Sequence, residues 1–213
     1  MLDYARGDRT SGRLTIAALV LAAGRSTRTG SSHKLLATFG GVPLIRRSVL
    51  AASGSECDNV VVVTGHLDDE ICSVIEDLPA RVVHNSEFKS GMATSIIVGV
   101  REAIRLRAVG VMICLSDMPD LTSGHLNLLA TKFRQCDGRP IVRAVAAGEP
   151  GHPIIFPASI YPELSKLAGD VGAREVVRHH WSSTIDVEIG PAARTDLDTL
   201  ESLRETGWLP AQS

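Results

Sequence analysis

The chain has 213 residues, of which 44% are hydrophobic and 22% charged, and its formal net charge is −2 at pH 7. This composition excludes a disordered chain, which lacks the apolar residues needed to offset the entropy of ordering. The near-neutral charge argues against non-specific binding of DNA or RNA, which requires a basic surface. We expect one folded domain over residues 14–213, preceded by a loose tail over residues 1–13.

Strand and helix patterns alternate along almost the whole chain. A strand is predicted at 15–21, followed by a glycine- and serine-rich loop, a helix at 43–54 and a strand at 59–65. Next come a helix at 66–78, a strand at 81–85, a helix at 91–107, a strand at 110–117 and a helix at 122–136. Short strands at 140–146 and 152–157, short helices at 161–167 and 173–180, a strand at 184–189 and a helix at 195–205 complete the prediction.

Several of the predicted strands are continuously apolar. Runs such as VVVV at 60–63 and VMICL at 111–115 are too apolar for a sheet with one face in water. The sequence therefore predicts an α/β, Rossmann-like three-layer sandwich with a mostly parallel sheet. In such sheets ligands bind beyond the carboxyl ends of the strands, so the loops after Leu21 and Leu115 are the candidate site.

The cysteines and the hydropathy pattern indicate in which cellular compartment the protein is expected. No pair of the four cysteines forms a C-x-x-C motif, and Cys114 lies in an apolar run typical of a buried strand. No disulfide framework is expected, which favours a reducing cytoplasm. No run approaches 18 apolar residues and the N-terminal segment has no signal-like apolar stretch, so we expect no membrane association.

The first candidate loop runs from Leu21 to Gly30, with Lys34 beyond it. It combines backbone amides, two glycines, hydroxyl groups, and the cations Arg25, Arg28 and Lys34. Amides that cradle oxygens and cations that neutralise charge suit a polyphosphate; the alternative is a solvated turn. The loop is not a P-loop, since no Gly-Lys-Ser/Thr ends it, and it lacks the G-x-G-x-x-G of dinucleotide-binding domains.

The second candidate loop, Leu115 to Asp120, carries a carboxylate directly after a buried strand. Asp117 there is placed to hold Mg²⁺ against a phosphate. The alternative is that the carboxylate caps the following helix, a role that Asp120 fits better than Asp117. For that helix, Thr122 or Ser123 is also a predicted cap.

These residues belong to a longer series of motifs. The L-A-A-G-x-S-x-R-x-G…K loop, the L-x-D-x-P after the strand and the late D-x-D-T resemble the nucleotidyltransferases of the molybdenum-cofactor group. The Ala-Ala-Gly of the first loop and the segments at 85–95, 151–156 and 169–174 resemble the cytidylyltransferases of that group. Ala93 departs from the pattern, because this position usually holds Ser. The resemblance covers about residues 16–203.

The resemblance implies a fold of the nucleotide-diphospho-sugar transferase type and transfer of CMP from CTP to molybdenum-bound molybdopterin, releasing pyrophosphate. Arg28, Lys34 and Asp117 would be catalytic, and Mg²⁺ would be held by Asp117 and Asp198. His152 would bind the phosphorylated acceptor, and a molybdoenzyme or its chaperone is an implied partner. The implied nucleotide-binding residues are Leu21, Ala22, Ala23, Gly24, Arg25, Ser26, Asn85, Gly91, Met92 and Ser95.

Other interpretations remain open at this point. The chain could be a related nucleotidyltransferase that uses another nucleotide, or a sugar phosphate or other phosphorylated acceptor. It could also be a non-catalytic carrier of the pterin cofactor; a dinucleotide-dependent reductase is disfavoured by the missing glycine motif. Locally, Gly91 and Ser95 fit an ordinary helix start capped by Ser90, and Asp196 and Asp198 fit a helix N-cap.

Overall fold

A computed structural model describes residues 13–24, 34–170 and 172–196. The strands in these ranges are β1 Ile16–Leu21, β2 Thr38–Phe39, β3 Val42–Pro43, β4 Asn59–Thr64, β5 Arg81–His84, β6 Gly110–Leu115, β7 Ile141–Ala146, β8 Glu149–Pro157 and β9 Thr184–Glu188. The α-helices are α1 Leu44–Ser53, α2 Asp68–Ile75, α3 Met92–Arg105, α4 Ser123–Gln135, α5 Tyr161–Leu164 and α6 Arg174–His179. Most of the predicted tail and closing helix lie outside these ranges.

A seven-stranded sheet with the order β5-β4-β1-β6-β8-β7-β9 forms the centre of the molecule. Its strands run parallel to one another except β8, which pairs antiparallel with both β6 and β7. Helices α1, α2 and α4 contribute to the hydrophobic core on one face, and α3, α5 and α6 to the core on the other. The predicted three-layer α/β class is confirmed.

The continuous apolar runs are explained by burial on both faces of the sheet. Every residue of β1 is buried, and its side chains alternate between the two cores. In β4 the valines alternate likewise, with Val60 and Val62 facing one helix layer and Val61 and Val63 the other. Side chains of a strand point to opposite faces in turn, so a strand covered on both sides has no polar position.

The candidate loops meet at one edge of the sheet. Leu21, the last residue of β1, pairs with Val63 of β4 and Leu115 of β6. Because these strands are parallel, the loops that follow them leave the sheet side by side. Asn85, directly after β5, lies at the same edge.

The antiparallel strand β8 begins at this same edge, and its chain runs away from it, opposite to β6 and β7. A two-residue turn at Ala147 and Gly148, both with positive φ, joins it to β7. Arg143 pairs with Ile154, but Val145 pairs with Pro150, so residues 151–153 of β8 lie opposite a single residue of β7. This is a β-bulge, which bends a strand and redirects its side chains; its His152–Pro153 peptide is cis.

Several local predictions were wrong or incomplete. The short hairpin of β2 and β3 was not predicted, β8 begins at Glu149 rather than 152, and the helix predicted at 161–167 ends at Leu164. Thr122 caps α4 by accepting a hydrogen bond from the backbone of His125, so Asp120 is not the cap.

The predictions about cysteines and hydropathy can also be compared with the structure. All four cysteines, Cys57, Cys72, Cys114 and Cys136, are free, and Cys114 is buried as expected. Among the described residues, none of the helices is both long enough and apolar enough to span a membrane.

Candidate functional site

A lysine–aspartate pair lies where the two candidate loops meet. Asp117 is two residues beyond the end of β6, and Lys34 begins a short 3-10 turn over Lys34–Leu36. The Nζ atom of Lys34 donates to Oδ2 of Asp117 at 2.9 Å. The lysine is only 7% exposed, which is rare for a lysine unless it is paired. Two residues that the sequence analysis singled out independently are thus in direct contact.

The second carboxylate oxygen of Asp117 is the most unusual atom of the site. Oδ1 is buried, and no hydrogen-bond donor reaches it in the described part of the chain. A buried polar atom without a partner is destabilising, and such atoms concentrate where a ligand or ion completes the site. Thr122 caps the following helix, so Asp117 has no capping role there. A hard cation such as Mg²⁺, which prefers oxygen ligands, fits this oxygen.

Hydroxyl groups hold the two loops together behind this pair. Ser116 donates from Oγ to the carbonyl oxygen of Leu21 at 2.6 Å, and Ser48 of α1 donates to the carbonyl oxygen of Ser116 at 3.1 Å. Both serines are buried. Because each hydroxyl bonds a backbone carbonyl, the path of the chain before Asp117 is fixed relative to the end of β1.

The described start of the first loop, Leu21 to Gly24, is anchored by its backbone. Leu21, Ala22 and Ala23 are buried, while Gly24 is exposed. The amide of Ala22 donates to the carbonyl oxygen of Val63 at 2.8 Å, which anchors the start of the loop. A Cβ on Gly65 would lie 2.9 Å from that of Ala23, so the segments pack closely. The predicted residues Arg25, Ser26 and Arg28 lie outside the described residues.

Asn85 and Ser95, both predicted to bind nucleotide, are bonded to each other. The side-chain amide of Asn85 donates to Ser95 Oγ at 3.0 Å and to Thr94 Oγ1 at 2.9 Å, and its oxygen accepts from the backbone of Glu87 at 3.0 Å. Asn85 and Ser95 are both buried. This network fixes the entry to α3; Thr94, which belongs to it, was missed by the sequence analysis.

The start of α3 packs against the loop that precedes α6. Gly91 has φ of 106°, and a Cβ there would lie 2.3 Å from the carbonyl oxygen of Gly169. The backbone of Ala93 donates to that same carbonyl at 3.1 Å. Gly91 is the N-cap of α3 and makes no side-chain cap bond, so the alternative of an ordinary start capped by Ser90 is wrong. Met92 is exposed beside this contact.

A pocket of about 590 Å³ opens beside Asp117, above β6, β7 and β8. His152 of the bulge lines it, together with Leu115 and Met118 from either side of Asp117. Four arginines also line it, one from β7, two from α6 and one from the segment after β9: Arg143, Arg174, Arg178 and Arg194. An excess of positive charge near a metal-compatible carboxylate suits a phosphorylated ligand.

The imidazole of His152 is held in its neutral form. Burial, with the charge of Arg174, lowers its pKa to about 4, although Asp117 and the backbone of Ile113 act in the opposite direction. A neutral imidazole can donate or accept a hydrogen bond without adding charge. His152 was predicted as an acceptor-binding residue from the resemblance of its Gly-His-Pro motif. In the structure it lines the same pocket as Leu115 and Met118, which lie on either side of Asp117 in the chain.

The four arginines of the pocket, called here the cationic wall, were not predicted as functional residues. Arg143 is a buried residue of β7, and no motif in the sequence pointed to it. Arg174 lies in the segment 169–174 that carries the family resemblance, but no role was predicted for it. Within residues 13–24, 34–170 and 172–196 there is no cluster of three or more His, Cys, Asp or Glu side chains that could hold a metal. Asp198, the predicted second ligand, lies outside these ranges, and Asp196 is an exposed residue of the pocket wall.

Comparisons with known proteins extend this description. Nicotine blue oxidoreductase of Paenarthrobacter nicotinovorans is 26% identical to this chain, over 88% of it and 94% of the relative. Purine catabolism protein PucB of Bacillus subtilis (strain 168) is 31% identical, over 74% of this chain and 78% of the relative. The crystal structure of Rv0371c from Mycobacterium tuberculosis H37Rv has the same fold, with a TM-score of 0.77 and 24% identity over 90% of this chain and 97% of its own.

The M. tuberculosis protein has also been solved as a complex with manganese. Residues 18–184 of the present chain match the family described as "MobA-like NTP transferase domain". That match covers β1 to the start of β9, and thus both candidate loops and the bulge. The chain belongs to the MobA-like NTP transferase family of nucleotidyltransferases.

Proposed function

We propose that this protein transfers CMP from CTP to the terminal phosphate of molybdenum-bound molybdopterin, forming the cytosine dinucleotide and pyrophosphate. The observation that carries the proposal is the carboxylate of Asp117, which is paired with Lys34 through Oδ2 and whose buried Oδ1 meets no hydrogen-bond donor among the described residues. It stands between the first loop and a cationic pocket. Such a position serves two phosphorylated substrates that must meet at one point.

The chemistry needs positive charge more than it needs a base. A phosphate monoester is largely ionised at neutral pH, so the acceptor oxygen is already a nucleophile. It attacks the α-phosphorus of CTP, a new P–O bond forms, and the bond to the β-phosphate breaks with its electron pair leaving on pyrophosphate. In this proposal Lys34, with Arg28, offsets the charge that develops on the triphosphate.

A divalent cation fits the same place. Asp117 Oδ1 would hold Mg²⁺, with Asp198 as the proposed second ligand; the bound ion would stabilise charge on the phosphoryl oxygens. The manganese complex of the M. tuberculosis protein supports a divalent-metal requirement. The chain's own part is to orient this oxygen, which the Ser116–Leu21 and Lys34–Asp117 bonds do.

The two substrates are assigned to opposite sides of Asp117. CTP is placed against the first loop, from Leu21 to Ser26, and against the start of α3, where Gly91 lets the chain pack closely against Gly169. The buried hydrogen bond between Asn85 and Ser95 holds that segment in place, and the exposed side chain of Met92 lies next to Gly91 in the chain. The acceptor is placed in the pocket with His152. We further propose a cytoplasmic location and delivery of the product to a molybdoenzyme or its chaperone.

Three other functions are rivals, and one of them, a non-catalytic carrier of the pterin cofactor, would not need Asp117 to hold a metal. A related enzyme using another nucleotide, or a phosphorylated acceptor other than molybdopterin, would need the same Asp117 and Lys34. The relative named nicotine blue oxidoreductase favours a second candidate, an oxidoreductase that acts on a small molecule. The first loop lacks the glycine motif of dinucleotide-binding domains, which weighs against a nicotinamide cofactor there.

The test measures pyrophosphate release from CTP, GTP and ATP in separate reactions with molybdenum-bound molybdopterin and Mg²⁺. We expect release to depend on the acceptor, to be fastest with CTP and to stop with EDTA. Asp117→Asn serves as the inactive control. Oxidation of NADH and NADPH is followed in parallel; cofactor oxidation without pyrophosphate release would favour the reductase. Tight pterin binding with neither reaction would favour the carrier.

A further inference from the structure

Trp181 is the most solvent-exposed large hydrophobic residue in the described part of the chain. It is 65% exposed, although an indole buries more apolar area than any other side chain when it is covered. It begins a short 3-10 turn, Trp181–Ser183, directly after α6, and it lines the same pocket as His152. An exposed aromatic inside a cationic pocket is typical of a ligand contact.

The ring of Trp181 is backed by a fixed cation. The guanidinium carbon of Arg143 lies 5.4 Å from the ring centroid, within the range of a cation–π interaction. Arg143 is itself buried and makes two hydrogen bonds of 2.9 Å to the two carboxylate oxygens of Asp186. Arg143 and Asp186 are direct partners in the ladder between β7 and β9. The guanidinium is therefore held by the sheet, and the exposed indole has a rigid support.

The surrounding charges suit a phosphate near this ring. Arg178 Nη2 lies 3.1 Å from Glu175 Oε1, and Arg194 Nη1 lies 3.9 Å from Glu149 Oε2, so each of these arginines has a carboxylate partner. Arg174 makes no ion pair with any described residue, and its charge is felt by His152. Asp196 is the one carboxylate among the described residues of the pocket wall. The pocket thus offers an aromatic face and an uncompensated guanidinium within one cavity.

We infer that Trp181 is a stacking platform that selects acceptors with a planar heteroaromatic ring, while Arg174 binds the phosphate that the ring carries. The inference rests on the proposed function, because it specifies the acceptor of that site. It separates two acceptor classes that the catalytic pair treats alike. A sugar phosphate offers Arg174 the same anion but gives Trp181 no π face, so the indole discriminates against it.

Equilibrium binding tests the platform without turnover. The probes are 6-hydroxymethylpterin monophosphate, ribose 5-phosphate and inorganic phosphate, measured by calorimetry on the full-length protein. We expect the pterin phosphate to bind at least about tenfold more tightly than ribose 5-phosphate, the scale of one base–aromatic stack. Trp181→Leu removes this preference and Trp181→Phe keeps most of it. Leu128→Ala, which removes an exposed side chain of α4 outside the pocket wall, changes nothing.

Two further experiments separate stacking by Trp181 from phosphate binding by Arg174. Arg174→Gln weakens binding of both organic phosphates by a similar factor and leaves the preference for the pterin intact. In a Trp208→Phe background, where Trp181 is the single tryptophan, pterin phosphate quenches fluorescence and ribose 5-phosphate does not. Equal affinities in the wild-type protein, or a preference that survives Trp181→Leu, overturns the inference. If the preference holds while no pyrophosphate is released from any nucleotide, the nucleotidyl-transfer proposal fails and the platform stands.

Discussion

Replacing Asp117 separates its role in the fold from its role in the reaction. In Asp117→Ala the hydrogen bond to Lys34 is lost, and a bond between charged groups contributes about 1.5–3 kcal/mol to the free energy of unfolding. Leaving the buried charge of Lys34 without this carboxylate adds to the loss, and the roughly 3–5 kcal/mol of a broken buried pair is its upper bound. In Asp117→Asn the amide oxygen still accepts from Lys34, and we expect a smaller loss of stability.

Turnover, unlike stability, should fall to a similar extent in the two variants. Both variants lack the charge that would hold a divalent cation, so both should lose about 10²–10³-fold in pyrophosphate release, the effect of removing one preorganised electrostatic group. Chemical denaturation gives the stability difference, and a steady-state assay over a range of Mg²⁺ concentrations gives the rate. Raised Mg²⁺ should partly restore Asp117→Asn. If Asp117→Asn turns over at nearly the wild-type rate at ordinary Mg²⁺, Asp117 is not part of the mechanism.

Four further predictions use independent measurements. Lys34→Ala and Arg28→Ala should each weaken CTP binding or slow transfer by about 1.5–3 kcal/mol, and normal kinetics in both would reduce the first loop to a turn. CTP should be preferred over GTP in kcat/KM, because Ala23 leaves less room beside the backbone than glycine would; equal use of both would reject the cytidylyl assignment. The pKa of His152 is lowered in the folded state, so the unfolded state takes up the proton at a higher pH than the folded state does. The free energy of unfolding should therefore fall as the pH drops from about 6.5 toward 4. Thermal unfolding at each pH should show a smaller fall in His152→Gln. Gly91→Ala should destabilise the fold by at least about 1–3 kcal/mol, because its φ is positive and the new Cβ would overlap the carbonyl oxygen of Gly169; an unchanged melting temperature would show that the start of α3 rearranges freely.

The part of the site that could be predicted is the part set by single strands. Asp117 follows a strand whose apolar run is visible in the sequence, and Lys34 follows a glycine loop after another. Since parallel strands end at a common edge, the fold class predicts that the two loops lie close together, but it did not predict the hydrogen bond between Lys34 and Asp117. The bond between Asn85 and Ser95 did not follow, because nothing in the sequence says which partner satisfies a buried amide.

The cationic wall could not be predicted, because it depends on pairing between distant segments. Arg143 and Asp186 are 43 residues apart and meet only through the register of β7 with β9. Trp181 gained a role only once that register placed Arg143 beside its ring. The hairpin of β2 and β3 was missed for another reason: strands of two residues are too short to show an alternating pattern.

The bulge in β8 has a consequence for how the protein tolerates changes in length. In a regular ladder a one-residue insertion turns every later side chain to the wrong face of the sheet. Here residues 151–153 interrupt the ladder between β7 and β8, so the pairs of Glu149 and Pro150 are set separately from those of Ile154 and Ile155. An insertion or deletion in the turn at Ala147 and Gly148 is therefore absorbed before it reaches the core. The rim of the pocket that we propose for the acceptor can therefore change in length while β6 and the paired part of β8 keep their alignment.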